Sequence, residues 1–169
     1  MTATQLPAAM AEIRPAHFPE HLTLVRDMLR EYQVSLGVSL CFQNFEAELA
    51  GLPGAYAVPQ GCLLIAWGDG QALGCVGLRA LEPDLCEMKR LYLRPAARGQ
   101  QLGRRLAQAI CVQAKASGYR AIRLDTLPSM SAARGLYAAM GFVPVPAYVF
   151  NPIEGTLFLE LDLTSWQPG

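Results

Sequence analysis

The stretch Arg98-Gly99-Gln100-Gln101-Leu102-Gly103-Arg104 carries the residue types that a phosphate site needs. Gly99 and Gly103 let the backbone come close to a ligand, and Arg98 and Arg104 can add charge-assisted hydrogen bonds to phosphate oxygens. The stretch falls between an expected strand end and an expected helix start, where unpaired backbone N–H groups and the helix dipole together favour negative charge. An ordinary connection with solvated arginines has the same composition, so the turn alone leaves both readings open. It is not GxGxxG, and GxxxxGK[ST] occurs nowhere in the chain, so dinucleotide and P-loop sites lack their fingerprints. Coenzyme A, with its pyrophosphate and 3′-phosphate, is a sensible ligand. His17 and His21 stand one helical turn apart without a convergent cysteine or carboxylate set, which suits solvated or capping residues better than metal ligands.

The elements that must position this turn follow from periodicity. Glu12-Ile13-Arg14 suits a short strand, and Pro19 suits the first turn of a helix whose stripe Leu22, Val25, Leu29, Gln33, Leu36 can end at Gly37. A shorter helix through Phe45 and Leu49 is closed by Leu52-Pro53-Gly54. Cys62 to Trp67 and Ala72 to Leu78 flank Gly68-Asp69-Gly70, the signature of a tight hairpin. Leu85 to Leu93 is the next expected strand. Its apolar residues do not alternate cleanly, since Leu91 and Leu93 share parity with Glu87 and Lys89, and a bulge would reconcile the faces. Leu102, Leu106, Ile110 and Gln113 mark one face of a helix ending at Ser117-Gly118. Ala121 to Thr126 is a short strand, Ser129 or Ser131 can cap a helix that Gly141 stops, and Thr156 to Leu163 alternates cleanly. Strands and helices are mixed, so the expected class is α/β or α+β around one central mixed sheet.

The chain as a whole bounds what surrounds that sheet. It has 169 residues, 52% of them hydrophobic, enough for one substantial core and short for two. Residues 1–10 read as a flexible tail and 11–164 as a single domain. Lys+Arg and Asp+Glu both count 14, so no overall field draws nucleic acid or an anionic membrane, and any anion site must be local. The five cysteines are odd in number and form no CxxC pair, which reads as reduced, buried small hydrophobes of a cytoplasmic protein. No run approaches the length of a membrane span.

The segment Glu87-Met88-Lys89-Arg90-Leu91-Tyr92-Leu93-Arg94-Pro95-Ala96-Ala97, followed by the Arg98–Arg104 turn, resembles the signature of the GNAT family of acetyl-coenzyme A-dependent N-acetyltransferases: a strand, V-x-P, then [RQ]-x-x-G-x-[GA] opening a long helix. The family's second signature, N-x-x-A-x-x-L-Y-x-x-x-G-F, is similar to Met130-Ser131-Ala132-Ala133-Arg134-Gly135-Leu136-Tyr137-Ala138-Ala139-Met140-Gly141-Phe142. Both motifs in the right order are more specific than either alone, and the likeness covers nearly the whole chain after the tail. Asp125 to Met130 and Asn151 to Gly155 look like a bacterial subgroup of that family. Two residues depart from the pattern. Gln101 stands where a glycine is usual, which leaves its N–H available to phosphate if its φ is negative, and Met130 replaces an asparagine expected near the pantetheine arm, for which Ser129 or Ser131 could substitute.

The resemblance implies a GNAT-like α/β (α+β) fold, a central mixed, mostly antiparallel sheet flanked by about four helices. It further implies that the strand Leu85 to Leu93 bends away from Ala121 to Thr126, so that pantetheine enters between them and pairs with the backbone over Leu91, Tyr92 and Leu93. The cofactor set is completed by Arg98, Gly99, Gln100, Gln101, Leu102, Gly103 and Arg104. The implied reaction is direct attack of a primary amine, on a small molecule or a peptide, upon acetyl-CoA in a ternary complex; no metal is required. That chemistry needs a neutral amine, an oxyanion donor and an acid for the thiolate. A backbone N–H near Leu93 is the donor, Tyr137 the acid and Glu87 the candidate base. Read without the family, Tyr137 is a core tyrosine and Glu87 half of a surface ion pair with Lys89, Arg90 or Arg123. The acceptor site is expected among Tyr32, Phe42, Phe45, Tyr148 and Phe150. Acetyl-CoA and the amine are the partners implied, with a homodimer left open and no nucleic acid or membrane. The alternative is a non-catalytic coenzyme A-binding sensor or interaction module, with Gln101 and Met130 marking lost chemistry.

Overall fold

The computed structural model describes residues 11–169; the tail expected at 1–10 lies outside the described residues. The elements are β1 (Glu12–Pro15), α1 (Leu22–Leu36), α2 (Phe45–Ala50), β2 (Cys62–Gly68), β3 (Gln71–Glu82), β4 (Leu85–Leu93), α3 (Leu102–Ala116), β5 (Ala121–Thr126), α4 (Ser131–Met140), β6 (Val143–Pro144) and β7 (Leu157–Asp162). The strands form one seven-stranded sheet in the order β1-β2-β3-β4-β5-β7-β6. Every pairing is antiparallel except that of β4 with β5, which is the mixed, mostly antiparallel sheet that the pattern implied.

Each face of the sheet buries its own cluster. On one side Val76, Leu78, Cys86, Met88, Ile122 and Leu124 pack against the stripe Leu102, Leu106, Ala107, Ile110, Cys111, Ala114 of α3 and against Tyr137 and Met140 of α4. On the other, Leu63, Ile65, Cys75 and Tyr92 meet Val25, Met28 and Leu29 of α1 and Phe45 and Leu49 of α2. Burying a Leu or Ile side chain contributes about 1.5–3 kcal/mol, so these two stripes hold the helices to the sheet. The α1 packing is oriented by polar contacts at the end of β4: Arg94 Nη2 donates to Glu31 at 2.8 Å and Arg94 Nη1 to the Ala72 carbonyl at 3.1 Å.

Chain reversals use the residues that the turns require. Asp69 and Gly70 both have positive φ (47° and 73°) between β2 and β3, and Gly37 ends α1 at φ 67°. Two starts differ from the pattern. Pro19 lies in a turn ahead of α1, which begins at Leu22, and His21 caps backward, its Nδ1 accepting from the His17 N–H at 2.9 Å. α4 has Met130 at its N-cap with no side-chain cap, so neither Ser129 nor Ser131 caps it; Met130 Sδ instead accepts from Thr126 Oγ1 at 3.9 Å. Four cysteines are buried as expected, but Cys41 is exposed, because it sits in a 3-10 turn, Cys41–Gln43, that buries none of its residues.

The bulge in β4 is real and sits at Arg90. Cys75 pairs with Tyr92 and Gly77 with Lys89, two steps along β3 against three along β4, and Arg90 takes φ 61°. The extra residue exchanges the faces. Ahead of it Cys86 and Met88 point to the α3 side; beyond it Tyr92 points to the α1 side, while Leu91 and Leu93 join the α3-side cluster. Strain at a left-handed arginine persists only where tertiary contacts over-determine it. Here the guanidinium is clamped by Glu48 of α2, with Nε to Oε2 at 2.9 Å and Nη2 to Oε1 at 3.0 Å.

Candidate active site

Beside this bulge the sheet forks. β4 and β5 pair only from Leu85–Ala121 to Glu87–Arg123. Past that point β5 continues to pair with β7 on its other side, from Leu124–Leu159 to Thr126–Leu157, while Met88 and the residues after it leave β5. The wedge is a small cleft of about 40 Å³ lined by Tyr32, Lys89, Leu91, Asp125, Met130 and Tyr137, among others. A second cleft, about 440 Å³, shares Tyr32, Leu91 and Met130 with it and runs between α1 and the start of α4 to Arg98. The two together lead from the arginine turn to the fork.

At the turn, Gly99 has φ 78° and Gln101 φ 66°. Gln101 is thus left-handed and supplies the N-cap of α3, its carbonyl accepting from the Arg105 N–H at 3.1 Å; the negative φ on which its own N–H contact with phosphate depended is not met, and this is the conformation that the family's usual glycine adopts without strain. The N–H groups of Leu102, Gly103 and Arg104 precede the first i to i−4 acceptor and stay free of the helix ladder. Arg98 Nε donates to the Leu93 carbonyl at 3.1 Å, and its guanidinium lies 5.9 Å from the Tyr92 ring. Gln100 is half-buried and Arg104 exposed.

Tyr137 is 5% exposed and lines the fork cleft from the α4 side. Its ring lies 5.5 Å from that of Phe142, and burial raises its phenol well above the ordinary value, so it is held as a proton donor. Glu87 is placed differently from what the pattern suggested. It is 0% exposed, does not line the cleft, and has both oxygens engaged: Arg79 Nε donates to Oε1 at 2.7 Å and the Tyr148 hydroxyl to Oε2 at 2.7 Å. Neither Lys89, Arg90 nor Arg123 is its ion partner; Arg123 pairs with Glu160 at 2.6 Å. The carboxylate that does face the cleft is Asp125, whose Oδ2 accepts from Asn151 Nδ2 at 3.0 Å.

Alternation puts Glu87 and Lys89 of β4 on the same sheet face as Arg123 and Asp125 of β5, opposite Met88 and Leu124. Lys89 is 8% exposed; its ammonium donates to Gln43 Oε1 at 3.1 Å, and Arg90 Nη1 donates to the same oxygen at 2.8 Å. Burial lowers the pKa of Lys89 while Glu87 raises it. Of the aromatic residues expected around an acceptor, Tyr32 lines the cleft and Tyr148 binds Glu87, whereas Phe45 is core and Phe150 is 76% exposed. Gln43 and Asp125 carry no local motif for chemistry; the shared parity of Glu87 with Lys89 was the one signal pointing to the lysine.

These features, a sheet forked beside a bulge with an arginine-bearing turn at the head of the following helix, define an α/β protein with a cleft between two parallel strands. The sequence of residues 22–142 matches the model of the acetyltransferase (GNAT) family, and the chain belongs to that family; it is an N-acetyltransferase by class. A Schizosaccharomyces pombe protein named as an uncharacterized N-acetyltransferase is 36% identical over 154 residues, covering 90% of this chain and 94% of that one. The PaiA N-acetyltransferase of Thermoplasma acidophilum, solved with coenzyme A, is 19% identical with a TM-score of 0.69 over 90% of this chain and 98% of its own. The yncA protein of Salmonella typhimurium, solved with acetyl-CoA, is 18% identical with a TM-score of 0.71 over 95% and 98%.

Proposed function

We propose that the chain transfers the acetyl group of acetyl-CoA to a primary amine by direct attack, with both substrates bound together. The observation that carries this reading is the fork: the β4–β5 ladder ends at Glu87–Arg123, and two clefts that share Tyr32, Leu91 and Met130 run from there to Arg98. In this reading the backbone N–H groups of Leu102, Gly103 and Arg104 and the side chains of Arg98 and Arg104 take the phosphates. Gly99 and Gln101 give the turn its shape, Gln100 flanks it, and the pantetheine lies along Leu91, Tyr92 and Leu93.

The amine nitrogen attacks the thioester carbonyl carbon, forming C–N and breaking C–S. Asp125 receives the proton lost by the nitrogen, since its carboxylate faces the cleft, and Tyr137 gives its phenolic proton to the departing sulfur. Transfer back from Asp125 through water restores the phenol. Glu87, with both oxygens engaged, serves by holding Arg79 and Tyr148. The free buried thiols at Cys62, Cys75, Cys86 and Cys111 suit a reducing compartment such as the cytoplasm.

Incubation with acetyl-CoA and a panel of amines, following the release of free thiol, tests the reading. Release that depends on the amine supports it. Coenzyme binding without turnover across a broad panel would favour a coenzyme A-binding module instead.

A further inference from the structure

Lys89 presents a buried ammonium that no carboxylate bonds among the described residues, the Glu87 and Asp125 charges favouring it only through space. Its only hydrogen bond among the described residues goes to Gln43 Oε1, a neutral oxygen that Arg90 also occupies. The nearby carboxylates bond other groups: Glu48 holds Arg90, Glu87 holds Arg79 and Tyr148, and Asp125, while facing the cleft, accepts from Asn151 through Oδ2. An ammonium in such a place is costly unless a negative group completes it. It lines the fork cleft, so the group that completes it can come with the acceptor.

Asp125 lines the same cleft from β5 and forms no ion pair with Lys89. The two strands thus offer opposite charges to one small ligand. A carboxylate is repelled by Asp125 and drawn to Lys89, and an ammonium the reverse, which fixes one orientation. We propose that the acceptor is a small amino acid, its carboxylate held by Lys89 and its amine turned toward Asp125 and the thioester. This rests on reading the fork as the site of acetyl transfer. Gln43 acts as a positioning residue, holding the ammonium toward the cleft.

The test uses matched trios: each standard amino acid, its α-carboxamide, and the amine that remains when the carboxyl group is removed. Thiol release is measured with acetyl-CoA, and calorimetry follows the same compounds into the coenzyme A complex. For at least one amino acid, the acid should exceed its amide in kcat/KM by about a hundredfold or more. In Lys89→Gln that ratio should fall to within a few fold of unity, with Lys89→Met as a second variant and thermal melting as the check of folding. Equal use of acids and amides by the wild type overturns the proposal, as does binding of no amino acid to the coenzyme A complex, or an unchanged ratio in folded Lys89 variants. Acids that bind in a Lys89-dependent way with no turnover would sustain the carboxylate site and sink the transferase reading. Failure of coenzyme A to bind would sink that reading on its own, leaving the acid-over-amide binding preference of the free protein to decide the proposal.

Discussion

Arg90 and Glu48 meet in two parallel hydrogen bonds, 2.9 and 3.0 Å long, that tie the bulge of β4 to helix α2. The guanidinium is also placed 5.1 Å from the Phe45 ring, and its side chain is 2% exposed against 15% for Glu48. The pair fixes a backbone that arginine adopts unwillingly, and the bulge in turn aims Lys89 and Leu91 at the cleft. Glu48→Gln removes the charge from one side of this contact and is expected to destabilise the fold by about 3–5 kcal/mol, the usual result of leaving a buried charge unpaired. Urea unfolding of the two proteins measures it; a loss within experimental scatter would show that the bulge stands without the pair.

Tyr137→Phe should lower kcat by about a hundredfold, the contribution of a positioned general acid, and leave the Kd for coenzyme A unchanged. The hydroxyl bonds no protein group among the described residues, so little stability is at stake in its removal. An unaltered kcat, where chemistry is rate-limiting, would remove Tyr137 from the mechanism.

Gly103 and Gln101 separate charge from conformation at the turn. A Cβ at Gly103 would meet only Leu93 Cδ1, at 3.4 Å, so Gly103→Glu should fold, yet its carboxylate would face the phosphates and abolish coenzyme A affinity. Gln101→Gly relieves a left-handed glutamine and should stabilise the protein by up to about 1 kcal/mol, with affinity retained. Calorimetry and thermal melting report the two effects, and full affinity in Gly103→Glu would refute the turn as the phosphate site.

Stability should decline in alkali. Burial raises the phenols of Tyr137 and Tyr148 above their ordinary value of 10.0, with the Glu87 charge a further cause at Tyr148. Above about pH 10 the unfolded chain loses these protons while the native protein keeps them, so the native state binds more protons and stability falls as pH rises. Urea midpoints from about pH 8 to about pH 11 should decrease, and the decrease should be smaller in Tyr137→Phe. A flat profile would contradict the burial of these phenols.

The sequence alone was enough for the class and for most of the elements, the two-residue β6 excepted. Period-3.6 stripes located α1 and α3, the Asp69-Gly70 turn joined β2 to β3, and two spaced motifs pointed to the family, because these signals are local and each turn or helix face imposes its own residue types. Even the bulge was legible, since Leu91 and Leu93 could not share a face with Glu87 and Lys89. What the sequence could not decide was who meets whom across the sheet. Glu87 looked available until β3 delivered Arg79 and the chain near β6 delivered Tyr148, 61 residues away. Whether Gln101 took a negative φ was not written in its residue type, and the turn into α3 holds it at φ 66°. Asp125, Gln43 and Lys89 come from three separate segments, and only the parting of β4 from β5 makes them walls of one cleft. Hydrogen bonds and burial act through space, so the protonation and reach of each such group were decided by the tertiary structure.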